Sequence, residues 1–509
     1  MKPIFRSWFR TRQSRIQRRL DKTRDTATSP PVLSGRPIDY DVSHRHRAIA
    51  HGGIGAIHML AHRLGLPQAI DQRLHLLKVH LPYHESDHVL NIAYNPFCHG
   101  TCLQDIDLRR NDEAFLDALG ARRLPDPTTA GDFCRRFTQS HIDALQHAID
   151  VARRNVWSQQ PRSFFNRATI DMDGTLVATT GACKAGMDIA YDGTWGYHPL
   201  VVSLAETGEV LRLLNRSGNR PSHEGAAGQV DQAIWLCLQA GFRRTVLRGD
   251  TDFSQTQHLD RWHALPGVHF VFGYDARPNL QDLADALPDT AWEPLNRPAR
   301  YEVKTQPRTR PDKVKDRVVR DRGFDILRLK SEEVAEFEYR PTACTNTYRM
   351  VVVRKHISKE KGEQVLFPEV RYFFYLTNDR DATAAGIVFE ANDRCNQENL
   401  LAQLHGGVRA LCAPVNTLES NGAWMVMTAL AWTLKAWWAL MLRESPGRWQ
   451  EQHREEKNRV LRQEFKAFVS AFVTVPCQVL RPGGRLVLRV LGWNPSLMTF
   501  FRLVSRLRQ

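Results

Sequence analysis

Nowhere in its 509 residues does the chain place two cysteines in a CxxC pair. Its nine cysteines, an odd number, are scattered along a chain far longer than the small secreted domains that depend on a disulfide framework. We therefore expect free thiols and a reducing compartment, the cytoplasm, with nucleoid association if the partner is DNA. The one spacing that invites a metal, Cys98-His99 followed by Cys102, has no second pair at a suitable distance, which argues against structural zinc. An acidic surplus is missing as well. The 55 Asp and Glu are outnumbered by 70 Lys and Arg, and the formal charge of +15 favours a polyanion, nucleic acid first, over an acidic-protein or neutral partner. Long apolar runs are scarce: only Ala423 to Leu442 could span a bilayer, and because it carries Lys435 and stands alone we expect a packed helix. A secretory apolar core is absent from the N-terminal segment, where Lys2, Arg6, Arg10, Arg12, Arg15, Arg18 and Arg19 suggest a basic arm or a solvated tail. No internal repeat is visible.

What is present reads as a succession of regions. A basic N-terminal arm (1–43) precedes a helical region (44–160). There Ile54, Ile57, Leu60 and Leu64 recur at helical spacing before Gly65 and Pro67, and Thr129 with Asp132 suggests a capping box opening a helix through Phe137. At Ala168 the pattern changes. Strands are expected at 168–177, 200–204, 210–214, 245–247 and 268–272, with helices at 222–239 and 255–264, the first of them closed by Gly241. The order βββαβαβ is that of an α/β fold with a ribonuclease-H-like mixed sheet core, whose first part we place at 161–288. A β-rich basic insertion follows (289–371), with Arg297, Arg300, Lys304, Arg308, Arg310, Lys313, Lys315 and Arg317 on a DNA-facing surface or an ordinary solvated loop. The core then resumes (372–414) with a strand at 372–376 and a helix whose apolar face is Leu400, Leu404, Val408 and Leu411, and a helical C-terminal region (415–509) closes the chain.

Acids punctuate this core in a consistent order. On a strand, alternate side chains share a face, so Asp171 and Asp173 project together from 168–177 while Ile170 and Met172 turn into the core. Asp250 follows the strand at 245–247, at the C-terminal edge where open α/β sheets carry their ligand sites. On the late helix Arg394, Glu398 and His405, spaced by four and seven, fall roughly on one face. Three converging carboxylates suit hard, oxygen-preferring cations, Mg²⁺ or Mn²⁺; two such ions would activate a water or a 3′-hydroxyl and stabilise the leaving oxygen in phosphodiester transfer. Trp195, Trp424, Trp437 and Trp438 are expected in packed helices or core rather than on bases.

The strings Ile170-Asp171-Met172-Asp173-Gly174-Thr175, Gly196-Tyr197-His198-Pro199-Leu200, Leu247-Arg248-Gly249-Asp250-Thr251-Asp252-Phe253 and Asn396-Gln397-Glu398-Asn399-Leu400 together resemble those of the DDE transposases of bacterial insertion sequences. The branch is the transposase DDE domain, group 1, with a β-rich insertion before the glutamate helix. The resemblance covers about residues 50–440. It implies catalytic, metal-holding acids at Asp173, Asp250 and Glu398, supporting acids at Asp171 and Asp252, and DNA contacts from Arg394, His405 and Arg248. It also implies DNA transposition by cut and paste: a homodimer binding the terminal inverted repeats of double-stranded DNA, and metal-dependent cleavage and strand transfer into target DNA. The family's glutamate helix has a tyrosine and a lysine where this sequence has Ala391 and His405. Two other readings stay open. Asp171-Met172-Asp173-Gly174-Thr175 also fits a haloacid-dehalogenase phosphatase with Asp171 as nucleophile and Asp173 as acid, although that reading needs a downstream lysine where only Arg243, Arg244 and Arg248 are found. A DNA-binding copy that has lost catalysis would keep the basic surface without needing all three acids.

Overall fold

The computed structural model describes residues 3–21, 38–41, 43, 46–181, 184–297, 318, 322, 325–361 and 364–508. Its centre is a mixed sheet of strands β1 (Ala168–Gly174), β2 (Leu200–Leu204), β3 (Glu209–Leu214), β4 (Thr245–Gly249), β5 (Val268–Tyr274), β6 (Glu293–Pro294), β7 (Asp325–Tyr339), β8 (Tyr348–Lys361) and β9 (Gln364–Thr377). Across the sheet the order is β6-β7-β8-β9-β5-β4-β1-β2-β3. The meander β1–β2–β3 is antiparallel, and β4 and β5 lie parallel to β1. The half β3-β2-β1-β4-β5 is the ribonuclease-H-like core expected from the strand order.

The other half departs from expectation. The β-rich segment is not set apart from the core: β9 pairs antiparallel with β5 from Phe374↔Tyr274 to Thr377↔Val271, so the long hairpins β7–β8–β9 extend the same sheet. An expected boundary between 371 and 372 falls inside β9, which runs unbroken through it. The strand expected at 168–177 is also two. β1 ends at Gly174, and Val177–Ala178 belongs to a separate small sheet with Asp188–Ile189 and Trp195–Tyr197, just beyond the end of β1. Of the basic run, Arg297 is described and forms a two-pronged pair with Glu332 (2.6 and 2.9 Å); Arg300 to Arg317 lie outside the described residues.

Helices cover the sheet and dominate both ends of the chain. The apolar run that could have spanned a bilayer is the helix Leu418–Leu440, capped at Thr417 and buried from Ser420 through Leu440 against the helices Glu85–Tyr94 and Gln139–Trp157 and strand β3. Among the described residues, no helix is long and apolar enough to cross a membrane. One buried carboxylate at this depth is fully paired: Glu209, on β3, accepts from Trp437 Nε1 (2.7 Å), Trp157 Nε1 (3.0 Å), Thr207 Oγ1 (2.8 Å) and Arg153 Nε (3.1 Å). Trp424, Trp437 and Trp438 are buried here as expected, whereas Trp195 is half exposed. The terminal regions are not purely helical. Arg47–Ile49 pairs with Cys477–Leu480, which pairs with Val487–Val490, joining the two ends of the chain in one sheet. The basic N-terminal segment forms the helix Pro3–Asp21, which buries Phe9 against Phe501 (5.9 Å between rings) and leaves Arg10, Arg12, Arg15 and Arg18 exposed. The cap of the helix Pro127–Arg135 is Asp126, which accepts from Thr129 N at 2.8 Å, three residues before the capping box read from sequence.

Candidate active site

Asp171 and Asp173 share one face of β1, as the alternation requires, but their environments differ. Asp171 is fully buried, and the parallel register sets Arg248 of β4 beside it. Arg248 donates from Nε and Nη2 to the two carboxylate oxygens, at 2.6 and 2.7 Å, and from Nη1 to the Glu390 carbonyl at 3.0 Å. Burial pushes the Asp171 carboxyl up, opposed by this guanidinium. Arg248 therefore does not face DNA, as the resemblance implied; it is a buried strut joining β1, β4 and the end of the helix Ala384–Asn392. The same bond disposes of the phosphatase reading, because its nucleophile would be a carboxylate enclosed in the sheet and fully occupied by an arginine.

Asp173, one step further along β1, reaches the open edge. Its side chain is 22% exposed and lies 3.5 Å from Arg394 Nη2. Asp250, in the turn that ends β4, is half exposed, with its Oδ2 3.9 Å from Arg394 Nη1. Its other oxygen accepts the backbone N–H of Asp252 at 3.0 Å, so Asp252 supports the turn from an exposed position. Glu398 is exposed in the first turn of the helix Cys395–Ala402, where the helix N-terminus favours a carboxylate. Burial raises the Asp173 carboxyl to about 6, opposed by Arg394 and reinforced by the nearby charges of Asp250 and Glu398. Burial raises Asp250 too. Asp173 and Asp250 thus flank Arg394, with the Glu398 charge felt at Asp173, although among the described residues no three Asp, Glu, His or Cys side chains are drawn tightly enough together to hold a metal ion.

A raised carboxyl is a stability statement. Protonated Asp173 is favoured by folding, so its contribution is present below its ordinary range near 3.8 and is lost as pH rises toward about 6. In EDTA, melting curves should show stability falling across that window, and Asp173→Asn should flatten that part of the profile. An unchanged profile would mean that burial does not hold the carboxyl up.

The late helix is not one continuous rod. It breaks at Asp393–Arg394, resumes over Cys395–Ala402 and widens to a π-turn at Gln403–Gly407, a feature frequent at functional sites. Arg394 lies at the break and donates from Nη2 to the Met172 carbonyl at 3.1 Å. His405, in the π-turn, meets Thr175 Oγ1 at 3.0 Å, and burial lowers its pKa, so it stands beside the site as a neutral imidazole rather than a cation. Ala391 packs into the small apolar cluster around Val351 and Ile387. Leu400, Leu404, Val408 and Leu411 are buried as expected.

Two docking residues had no role in the sequence reading. Gln397, 1% exposed, donates from Nε2 to the Val201 carbonyl at 3.2 Å and accepts from Ser203 Oγ, fixing the Glu398 helix on β2. Its signal was legible: an amide three residues before Leu400 and seven before Leu404 sits on the apolar stripe. Glu390 was hidden, because its carbonyl and its carboxylate both serve Arg248. We expect Gln397→Ala to cost about 1–3 kcal/mol in urea unfolding, because it orphans Ser203 and a buried carbonyl. A cost near zero would show that the amide does not anchor the helix. The 700 Å³ cleft behind this helix, lined by Arg167, Glu206, Glu390 and Trp432 among others, contains none of Asp173, Asp250 and Glu398.

The sequence matches the family model described as transposase DDE domain group 1 over residues 33–454. The chain belongs to this family. It is a transposase-type enzyme acting within a family that generally uses divalent metal ions. Among solved structures it is similar to the piggyBac transposase, determined by cryo-electron microscopy as a synaptic complex with hairpin DNA. The identity is 10%, the TM-score 0.36, and the match covers 84% of this chain and 83% of that one. Among curated proteins, none matches the sequence.

Proposed function

We propose that the protein moves a DNA element by cut and paste, as the transposase of a bacterial insertion sequence, with Asp173, Asp250 and Glu398 as its catalytic acids. The observation that carries this reading is that Asp173 and Asp250 flank Arg394 at the edge of the sheet where β1 and β4 end, with the Glu398 charge near enough to act on Asp173. The donor set fits Mg²⁺ or Mn²⁺: it is oxygen-only, and the carboxylates of Asp250 and Glu398 lie near enough to Asp173 to add to the upward push that burial gives its carboxyl. Two such ions held by these acids would supply Lewis acidity and an activated water or 3′-hydroxyl. The chain's own contributions are positional. The Asp171–Arg248 strut and Gln397 fix the three acid-bearing elements against one another, the backbone N–H of Asp252 braces the Asp250 turn, and Arg394 and His405 would meet phosphate oxygens.

In the same reading, the helical segment 44–160 recognises the terminal inverted repeats, the exposed arginines of Pro3–Asp21 add backbone contacts, and two copies hold two DNA ends. The test is cleavage of labelled duplex carrying the flanking inverted repeats, with Mg²⁺ and with EDTA. Metal-dependent nicking at the repeat end supports the proposal. Repeat binding without nicking would identify a decayed copy, and phosphomonoesterase activity abolished by Asp171→Ala would overturn the reading.

A further inference from the structure

The two arginines of the site are held in opposite ways. Arg248 grips Asp171 through two bonds of 2.6 and 2.7 Å, the short forked geometry of a locked pair. Arg394 stands 3.5 Å from Asp173 and 3.9 Å from Asp250, too far for a hydrogen-bonded fork with either. Its Nη2 is satisfied by the Met172 carbonyl, while its buried Nε has no hydrogen-bond partner among the described residues. It projects from the break between the helices Ala384–Asn392 and Cys395–Ala402. A guanidinium held this way neutralises its neighbours without being committed to them.

Charge counting shows what this implies. Three carboxylates and one guanidinium leave a deficit of two charges, which a single divalent cation cancels. Two divalent cations beside a retained Arg394 overshoot by two, and it takes both a phosphodiester arriving with its negative charge and departure of the arginine to restore the balance. We propose that Arg394 is an internal counter-ion occupying the gap between Asp173 and Asp250, one that must yield that gap to cations and is then free to pair with a DNA phosphate. Cation uptake and DNA capture are thereby coupled through one side chain. This rests on the reading of Asp173, Asp250 and Glu398 as the cation site. Arg394 is a positioning residue in this scheme. By linkage, DNA raises cation affinity by the same factor as cations raise DNA affinity.

The experiment is Mn²⁺ binding to the full chain without DNA, followed by calorimetry and by the paramagnetic resonance of free Mn²⁺, for the wild type, Arg394→Gln, Arg394→Lys and Asp173→Asn. Circular dichroism confirms folding of each. Arg394→Gln should bind Mn²⁺ about tenfold more tightly than wild type, within the usual range of coupling between sites. Arg394→Lys, which keeps the charge but cannot span both acids, should fall between them, and it decides the question if the glutamine variant does not fold. Adding a repeat-end duplex should tighten Mn²⁺ binding to the wild type and leave Arg394→Gln nearly unmoved. Asp173-dependent binding that is equal in wild type and both Arg394 variants would sink the counter-ion proposal alone. Mn²⁺ binding indifferent to Asp173→Asn would sink the cation-site reading and the proposal with it.

Discussion

Asp173→Asn, Asp250→Asn and Glu398→Gln should each reduce metal-dependent nicking of a repeat-end duplex by roughly 10⁴-fold, the scale seen when one member of a cooperating catalytic group is removed. The substitutions are near-isosteric and keep hydrogen-bonding capacity, so they delete charge and leave shape. Because the acids act as a unit, a double variant should be hardly slower than the worst single one. Binding of the duplex should survive all three. Affinity for DNA is carried by cationic groups, and removing an acid from beside Arg394 does not weaken their pull. The measurement is single-turnover nicking in Mg²⁺ alongside a filter-binding isotherm at fixed salt. A variant that cuts at the wild-type rate would remove its acid from the site, and a variant that loses binding in step with cutting would show that the acid organises the fold rather than the chemistry.

The acids themselves were legible because strand periodicity is a local property. Asp173 had to project with Asp171, and Asp250 had to fall where a strand ends, whatever the partner strands were. What the sequence did not carry was register. Whether Arg248 faces solvent or Asp171 depends on β4 lying parallel to β1 with those residues side by side, a pairing separated by 77 positions in the chain. The same limit hid the union of β9 with β5, since a β-rich segment reads alike as an insertion or as more of the same sheet. Glu398 was placed on its helix correctly by spacing, yet the break at Arg394 and the π-turn at His405 are invisible to a pattern that assumes 3.6 residues per turn. Those irregularities aim Arg394 between the aspartates and His405 at Thr175.

Arg248→Ala should therefore behave as a core lesion, costing about 3–5 kcal/mol in urea unfolding, because it strands a fully buried carboxylate without its partner. Asp171→Asn should be costly as well, since its amide keeps one acceptor for the fork, turns an N–H₂ donor on the other guanidinium N–H and leaves the buried Arg248 charge without a counter-ion. The double variant Asp171→Leu with Arg248→Met should recover most of the loss, as apolar replacements of a buried pair commonly do. Its nicking rate then separates two roles. If the strut only stabilises the sheet, the double variant cuts normally. If it also sets the helix bearing Glu398, through the Arg248 bond to the Glu390 carbonyl, cutting stays slow after stability is restored, and we expect the second result. A surface arginine on DNA would give a different signature: unchanged unfolding, weaker binding to every sequence, and a salt dependence shallower by about one phosphate contact. That signature in Arg248→Ala would mean that the guanidinium points outward and that the buried pair with Asp171 does not form.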